Sequence, residues 1–145
     1  ELATALAALR ESAEAPVDFP EDVIAEAEAS TATVPELDLR DIPFATLDPE
    51  SSHDLNQAFH IERDGSGYTV RYAIADVPGF VVPGGAVDAE ARRRGQTLYA
   101  ADGSIPLHPR VLSEDRASLL ADVDRPALVW TFALDSAGVV STFRL

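Results

Sequence analysis

Apolar positions recur at helical spacing near the start of the chain, at Leu2, Leu6, Leu9 and Ala13 on an Ala/Glu background. That pattern predicts an amphipathic helix ending before Pro16. A second short helix is expected from Pro20 through EDVIAEAEA, with the proline in its first turn and Glu21 and Asp22 near its positive end. STATVPELD then reads as a polar linker. From residue 42 the period changes to two. IPFATL predicts a strand. AFHIER and YTVRYAIA flank Asp64-Gly65-Ser66-Gly67 as a β-hairpin, with Tyr68, Val70, Tyr72 and Ile74 on one face and Thr69 and Arg71 on the other.

Helical and extended patterns then alternate. AVDAEARRR predicts a helix closed by Gly95 at its C-cap. QTLYA and the loop ADGSIPLHP follow, and Ser113 is placed to cap a short helix over LSEDRASLL. PALVWTFAL and VVSTFRL predict a second hairpin across Asp135-Ser136-Ala137-Gly138. The fold class expected is α+β, a mixed, antiparallel-rich β-sheet with flanking helices. Residues 1–37 form a helical segment and linker, and residues 38–145 form the main domain.

Composition narrows the partners. With 145 residues and 46% hydrophobic content the chain can bury one core, and no apolar run approaches the ~20 residues that cross a bilayer. No signal peptide or membrane partner is expected. The absence of cysteine excludes disulfides and thiolate metal sites, which fits a cytoplasmic protein. The absence of methionine, with every basic residue an arginine, suggests an excerpt of a larger protein from a high-GC genome. A net charge of -14 argues against nucleic-acid binding by the chain as a whole. The acidity is concentrated: residues 1–50 carry 13 acids and two arginines, whereas residues 51–145 carry 12 acids and nine arginines. Arg92, Arg93, Arg94 and Arg110 against Asp102 leave room for one local basic patch.

The stretch TLDPESSHDLNQAF concentrates the candidate chemistry. Asp48 at the end of one strand and Asp54 at the start of the next can converge on one side of their loop, an arrangement that suits a hard cation such as Mg2+. Asp-Pro and Ser-Ser are also ordinary turn residues, and a loop carboxylate pair is commonly just solvated. His53 reads as an exposed loop residue and His60 as a strand surface residue.

From about Asp38 onward the chain resembles a known family. DLRDIPFATLDPESSHDLNQAF, YAIADV, VPGGAVDAEARRRGQTLYAADGSIPLHPRVLSEDRASLL and DRPALVWTF are similar, in order, to the first part of the RNB catalytic domain of the RNase II/RNase R exoribonucleases. The resemblance implies 3'-to-5' hydrolysis of single-stranded RNA to nucleoside monophosphates with Mg2+, and no DNA partner. It also implies a catalytic domain continuing beyond Leu145, so that this piece alone would be inactive. Asp48 and Asp54 match the first two aspartates of the family's D-x5-D-x-D-D centre and would hold the metal. Asn56 and Gln57 stand at its third and fourth places, completing the site through amide oxygens. Each exchange removes a negative charge beside the cation, on the order of a few kcal/mol of metal affinity. The same two letters motivate an alternative, a catalytically silent RNA-binding or regulatory relative. Tyr99 matches a tyrosine near the RNA 3' end, where an aromatic face stacks on any base. Arg92 and its neighbours are candidates for the RNA backbone, and Asp76 for bracing the acidic loop.

Overall fold

The computed structural model describes Thr4, Leu6, Ala8, residues 16–101 and residues 103–145. Thr4, Leu6 and Ala8 are helical, and the remaining positions of the predicted first helix, Leu2, Leu9 and Ala13 among them, lie outside the described residues. The chain groups into two compact units. One comprises Glu1–Ser30 and Val81–Leu112, the other Thr31–Phe80 and Ser113–Leu145. The spatial grouping therefore cuts across the sequence boundary after residue 37.

The first unit pairs helix α1 (Glu21–Ala29) with helix α2 (Ala86–Arg94). Val23 and Ala27, four apart, bury on one stripe of α1. The N-terminus of α2 has no cap from its own N-cap residue Gly85. Instead the Glu26 carboxylate accepts from the Ala86 and Val87 amides at 2.7 and 3.2 Å, satisfying two orphan donors and the helix dipole together. Gly95 closes α2 as expected, with φ +77° and its amide on the Ala91 carbonyl at 2.9 Å. Strands β3 (Leu98–Ala100) and β4 (Gly103–Ile105) form a two-stranded ribbon, so the predicted loop after QTLYA in fact contains a strand.

The second unit is built on β1 (Gln57–Asp64), β2 (Gly67–Ala75), β5 (Ala127–Leu134) and β6 (Val140–Arg144), antiparallel throughout in the order β1-β2-β5-β6. Gly65 alone in the β1–β2 turn takes a positive φ, +60°, the pattern of a type II′ turn. The register aligns Phe59, Tyr72 and Trp130 in one row and Ile61, Val70, Phe132 and Phe143 in the next. This face carries the large apolar side chains yet is only partly covered, Phe143 being 66% exposed. Burial is deepest on the opposite face, where Ala58, Ala73 and Ala75 are at most 6% exposed.

Two sequence expectations need correction. IPFATL is not a strand: it contributes only an isolated bridge between Ala45 and Phe59. Pro43 has no amide to donate, and the Phe44 amide turns back to the Ile42 carbonyl at 2.8 Å, which leaves Ala45 alone to pair. Nor does Ser113 cap a helix. It lies inside a π-helical turn, Val111–Arg116, which begins after Pro109 where the Leu112 amide reaches the Pro109 carbonyl at 2.9 Å.

Candidate metal centre

The acidic loop hangs from a two-bond clamp. Ala45 and Phe59 exchange amide-carbonyl bonds of 2.9 Å in both directions, closing the stem of the loop that contains Asp48 and Asp54. Within it, the Ser52 amide donates to the Pro49 carbonyl at 2.8 Å, so a β-turn separates the two aspartates.

The two arms of the loop are held very differently. On the Asp54 arm, the Ser118 hydroxyl donates to the His53 carbonyl at 2.5 Å and accepts from the Leu55 amide at 2.9 Å. The Leu119 amide donates to the Leu55 carbonyl at 2.7 Å, and the Ala75 amide to the Asn56 carbonyl at 3.0 Å. On the Asp48 arm no comparable bonds occur among the described residues beyond the turn itself. Asp54 therefore sits on backbone fixed from both sides, and Asp48 on backbone fixed only at its ends.

Asp48, Glu50, His53 and Asp54 are exposed. No described side chain bonds to either aspartate's carboxylate, whereas Arg71 holds Glu62 at 2.5 Å elsewhere on the same unit. Among the described residues no three His, Cys, Asp or Glu side chains gather as a metal cluster. At the motif positions the loop thus offers two carboxylates, Asp48 and Asp54, and the amide of Asn56, all oxygen donors, with Glu50 a further carboxylate on the turn between them. That donor set fits Mg2+, which keeps several waters and is bound through one or two carboxylates with substrate phosphates. Gln57, the first residue of β1, is already engaged, its Oε1 accepting from the Tyr72 hydroxyl. An amide oxygen has two lone pairs, so one remains.

The other candidates divide. Tyr99 on β3 is 78% exposed, its ring available to a ligand rather than packed in a core. Arg92 is exposed and paired with Asp88 at 2.9 Å. Arg93 and Arg94 both hold Glu90, whose carboxyl they keep below its ordinary range. Arg94 is no surface cation, its side chain being 2% exposed. Asp76 does not brace the acidic loop: its carboxylate accepts from the Gly79 amide at 3.1 Å, inside the 3-10 turn Val77–Phe80. The bracing falls to Ser118, which sequence reasoning missed. It lies 63 residues from Leu55 and sits in a stretch that reads locally as helix.

Residues 36–145 match the RNB domain family, and the chain belongs to that family. Relatives that it resembles are ribonucleases. It is 36% identical over 135 residues to Ribonuclease R of Acidithiobacillus ferrooxidans, covering 89% of this chain and 31% of that protein. With Ribonuclease R of Escherichia coli strain K12 it shares 38% identity over 109 residues, 74% of this chain and 13% of that one. Among solved structures, Mycoplasma genitalium RNase R in complex with ribose methylated single-stranded RNA superposes with a TM-score of 0.89 at 25% identity, over 97% of this chain and 23% of its own. The chain spans about a third or less of the length of these relatives. Among the described residues no helix is long and apolar enough to cross a membrane.

Proposed function

We propose that this chain is part of a 3'-to-5' exoribonuclease that hydrolyses single-stranded RNA to nucleoside monophosphates with Mg2+. The observation that carries the reading is the acidic loop: the exposed carboxylates of Asp48 and Asp54, to which no described cation bonds, one of them on backbone pinned by four hydrogen bonds. Asp48 and Asp54 would hold the ion through carboxylate oxygens, with Asn56 and the remaining lone pair of Gln57 as neutral donors. Mg2+, when bound, activates a water for in-line attack and offsets charge on the leaving oxygen. Tyr99 offers its exposed ring for stacking on a base of the RNA. Arg92 keeps donors free beyond its single bond to Asp88 and can meet a backbone phosphate.

The amides at positions 56 and 57 support a second reading, an RNA-binding relative without catalysis. Amide side chains hydrogen-bond phosphate without repelling it, so binding survives the loss of two acids. One experiment separates the two. The intact protein is incubated with 5'-labelled single-stranded RNA, with and without Mg2+, beside its Asp48→Asn variant. The enzyme reading expects Mg2+-dependent shortening that Asp48→Asn stops. RNA binding with no product over long incubation would establish the silent relative, and an unaffected rate in Asp48→Asn would remove Asp48 from the mechanism.

A further inference from the structure

The peptide groups on either side of Asp54 are both bonded by one hydroxyl. The His53 carbonyl belongs to the peptide that precedes Asp54, and the Leu55 amide to the one that follows. Ser118 donates to the first and accepts from the second, using the two opposite capacities of its hydroxyl at once. Two peptide planes fixed by a common atom constrain φ and ψ of the residue between them. The direction in which the Cα–Cβ bond of Asp54 leaves the backbone is thereby fixed, which narrows where its carboxylate can reach.

Ser118 is itself held. It is 2% exposed, next to Ala117 at 1%, so water does not compete for its bonds. Its amide donates to the Asp115 carbonyl at 3.1 Å, and its carbonyl accepts from Arg125 Nε at 3.1 Å. Arg125 reaches on to the Asp115 carboxylate at 3.3 Å. A relay runs from Arg125 through Ser118 to the His53 carbonyl and Leu55 amide that flank Asp54, joining the segment after the π-helical turn to the acidic loop. Among the described residues Asp48 has no equivalent.

We infer that Ser118 is a positioning residue for the metal centre, fixing Asp54 as a ligand in advance of binding, with Arg125 as its support. The inference rests on the reading of Asp54 as a metal ligand, but the clamp has a readout of its own. Groups that orient metal ligands typically change metal affinity about 10- to 100-fold when removed. The test compares the intact protein with Ser118→Ala, Ser118→Thr and Arg125→Gln, by amide hydrogen exchange and by titration with Mn2+ as a spectroscopic substitute for Mg2+. In Ser118→Ala the Leu55 amide is expected to exchange at least about tenfold faster relative to the Ala73 amide in β2, and Mn2+ to bind about 10- to 100-fold more weakly. Ser118→Thr, which keeps both capacities of the hydroxyl, should return toward the parent in both measurements. Arg125→Gln should shift both in the same direction as Ser118→Ala but by less, and it stands as the deciding variant if Ser118→Ala does not fold. Unchanged Leu55 exchange in a folded variant overturns the clamp, whatever the metal does. Faster exchange with unchanged Mn2+ affinity overturns the positioning role. A parent protein that binds no Mn2+ overturns the metal reading of Asp54, and with it the positioning role, while the exchange result still decides the clamp.

Discussion

Replacing Arg94 by alanine should destabilise rather than disarm the protein. The guanidinium donates from Nε to Glu90 at 2.7 Å, from Nη1 to the Pro106 carbonyl at 3.1 Å and from Nη2 to the Asp18 carbonyl at 2.7 Å. It also lies 3.6 Å from the centre of the Phe19 ring. Breaking a buried pair by removing one partner costs about 3–5 kcal/mol, because the other charge stays buried. Two features moderate that figure: Glu90 keeps Arg93 at 2.6 Å, and the exposed Asp18 carbonyl can turn to water. A lost cation-π contact adds about 1 kcal/mol. The expected loss is about 3–4 kcal/mol, read as a lower urea midpoint at constant slope. Arg93→Ala, on a side chain 53% exposed, should shift the midpoint far less, because solvent screens its pair. Arg94→Lys should recover less than half of the deficit, since an ammonium cannot reproduce the three-way fork. Equal midpoints for the parent and Arg94→Ala would refute the reasoning. If RNA affinity fell instead, Arg94 would return to the basic surface that the sequence suggests.

Gly67→Ala should also destabilise, because a Cβ there would overlap the Leu134 carbonyl oxygen and lie 3.1 Å from its carbon, forcing β2 from β5. A loss of about 1–3 kcal/mol is expected in thermal unfolding, and an unchanged midpoint would contradict the β2–β5 register. Burial holds His108 below its ordinary pKa of 6.5, so as pH falls through that value the unfolded chain takes up the proton first. Stability is therefore fully present above about pH 6.5 and is lost below it until the folded group titrates as well. Urea midpoints should fall from pH 7 to 5.5, and His108→Gln should flatten that part of the profile.

What could be read from the sequence was local. The β1–β2 hairpin announces itself through Gly65 and the period of two on either side. Gly95 ends α2 because an α-helix stops readily at a residue that tolerates positive φ. Long-range choices left no such trace. Nothing near Glu26 says that its carboxylate caps a helix 60 residues on, and three consecutive arginines look alike until one of them is found buried. The hairpin face was legible too, but not its environment: alternation placed Tyr68, Val70, Tyr72 and Ile74 together, and the deepest burial lies on the alanine face. Periodicity reports which residues share a face, and the segments that pack on it decide how dry it becomes.

The same distinction governs the acidic loop. Its four motif positions, 48, 54, 56 and 57, sit within ten residues of sequence but in four different environments in the fold. Asp48 lies between the Ala45–Phe59 bridge and the Pro49–Ser52 turn, and Asp54 stands between two peptides locked to Ser118. The Asn56 carbonyl is tied to the Ala75 amide while no described residue bonds to its side chain, and Gln57 has entered β1 and turned its amide oxygen to Tyr72. The two exchanged letters are therefore not equivalent losses of charge. A carboxylate at position 56 would be as unencumbered as Asp54, whereas one at position 57 would meet a phenol already placed to donate to it. The amide at position 56 carries more of the question whether two carboxylates suffice, since it alone stands with its side chain free beside the one aspartate whose backbone the fold has fixed.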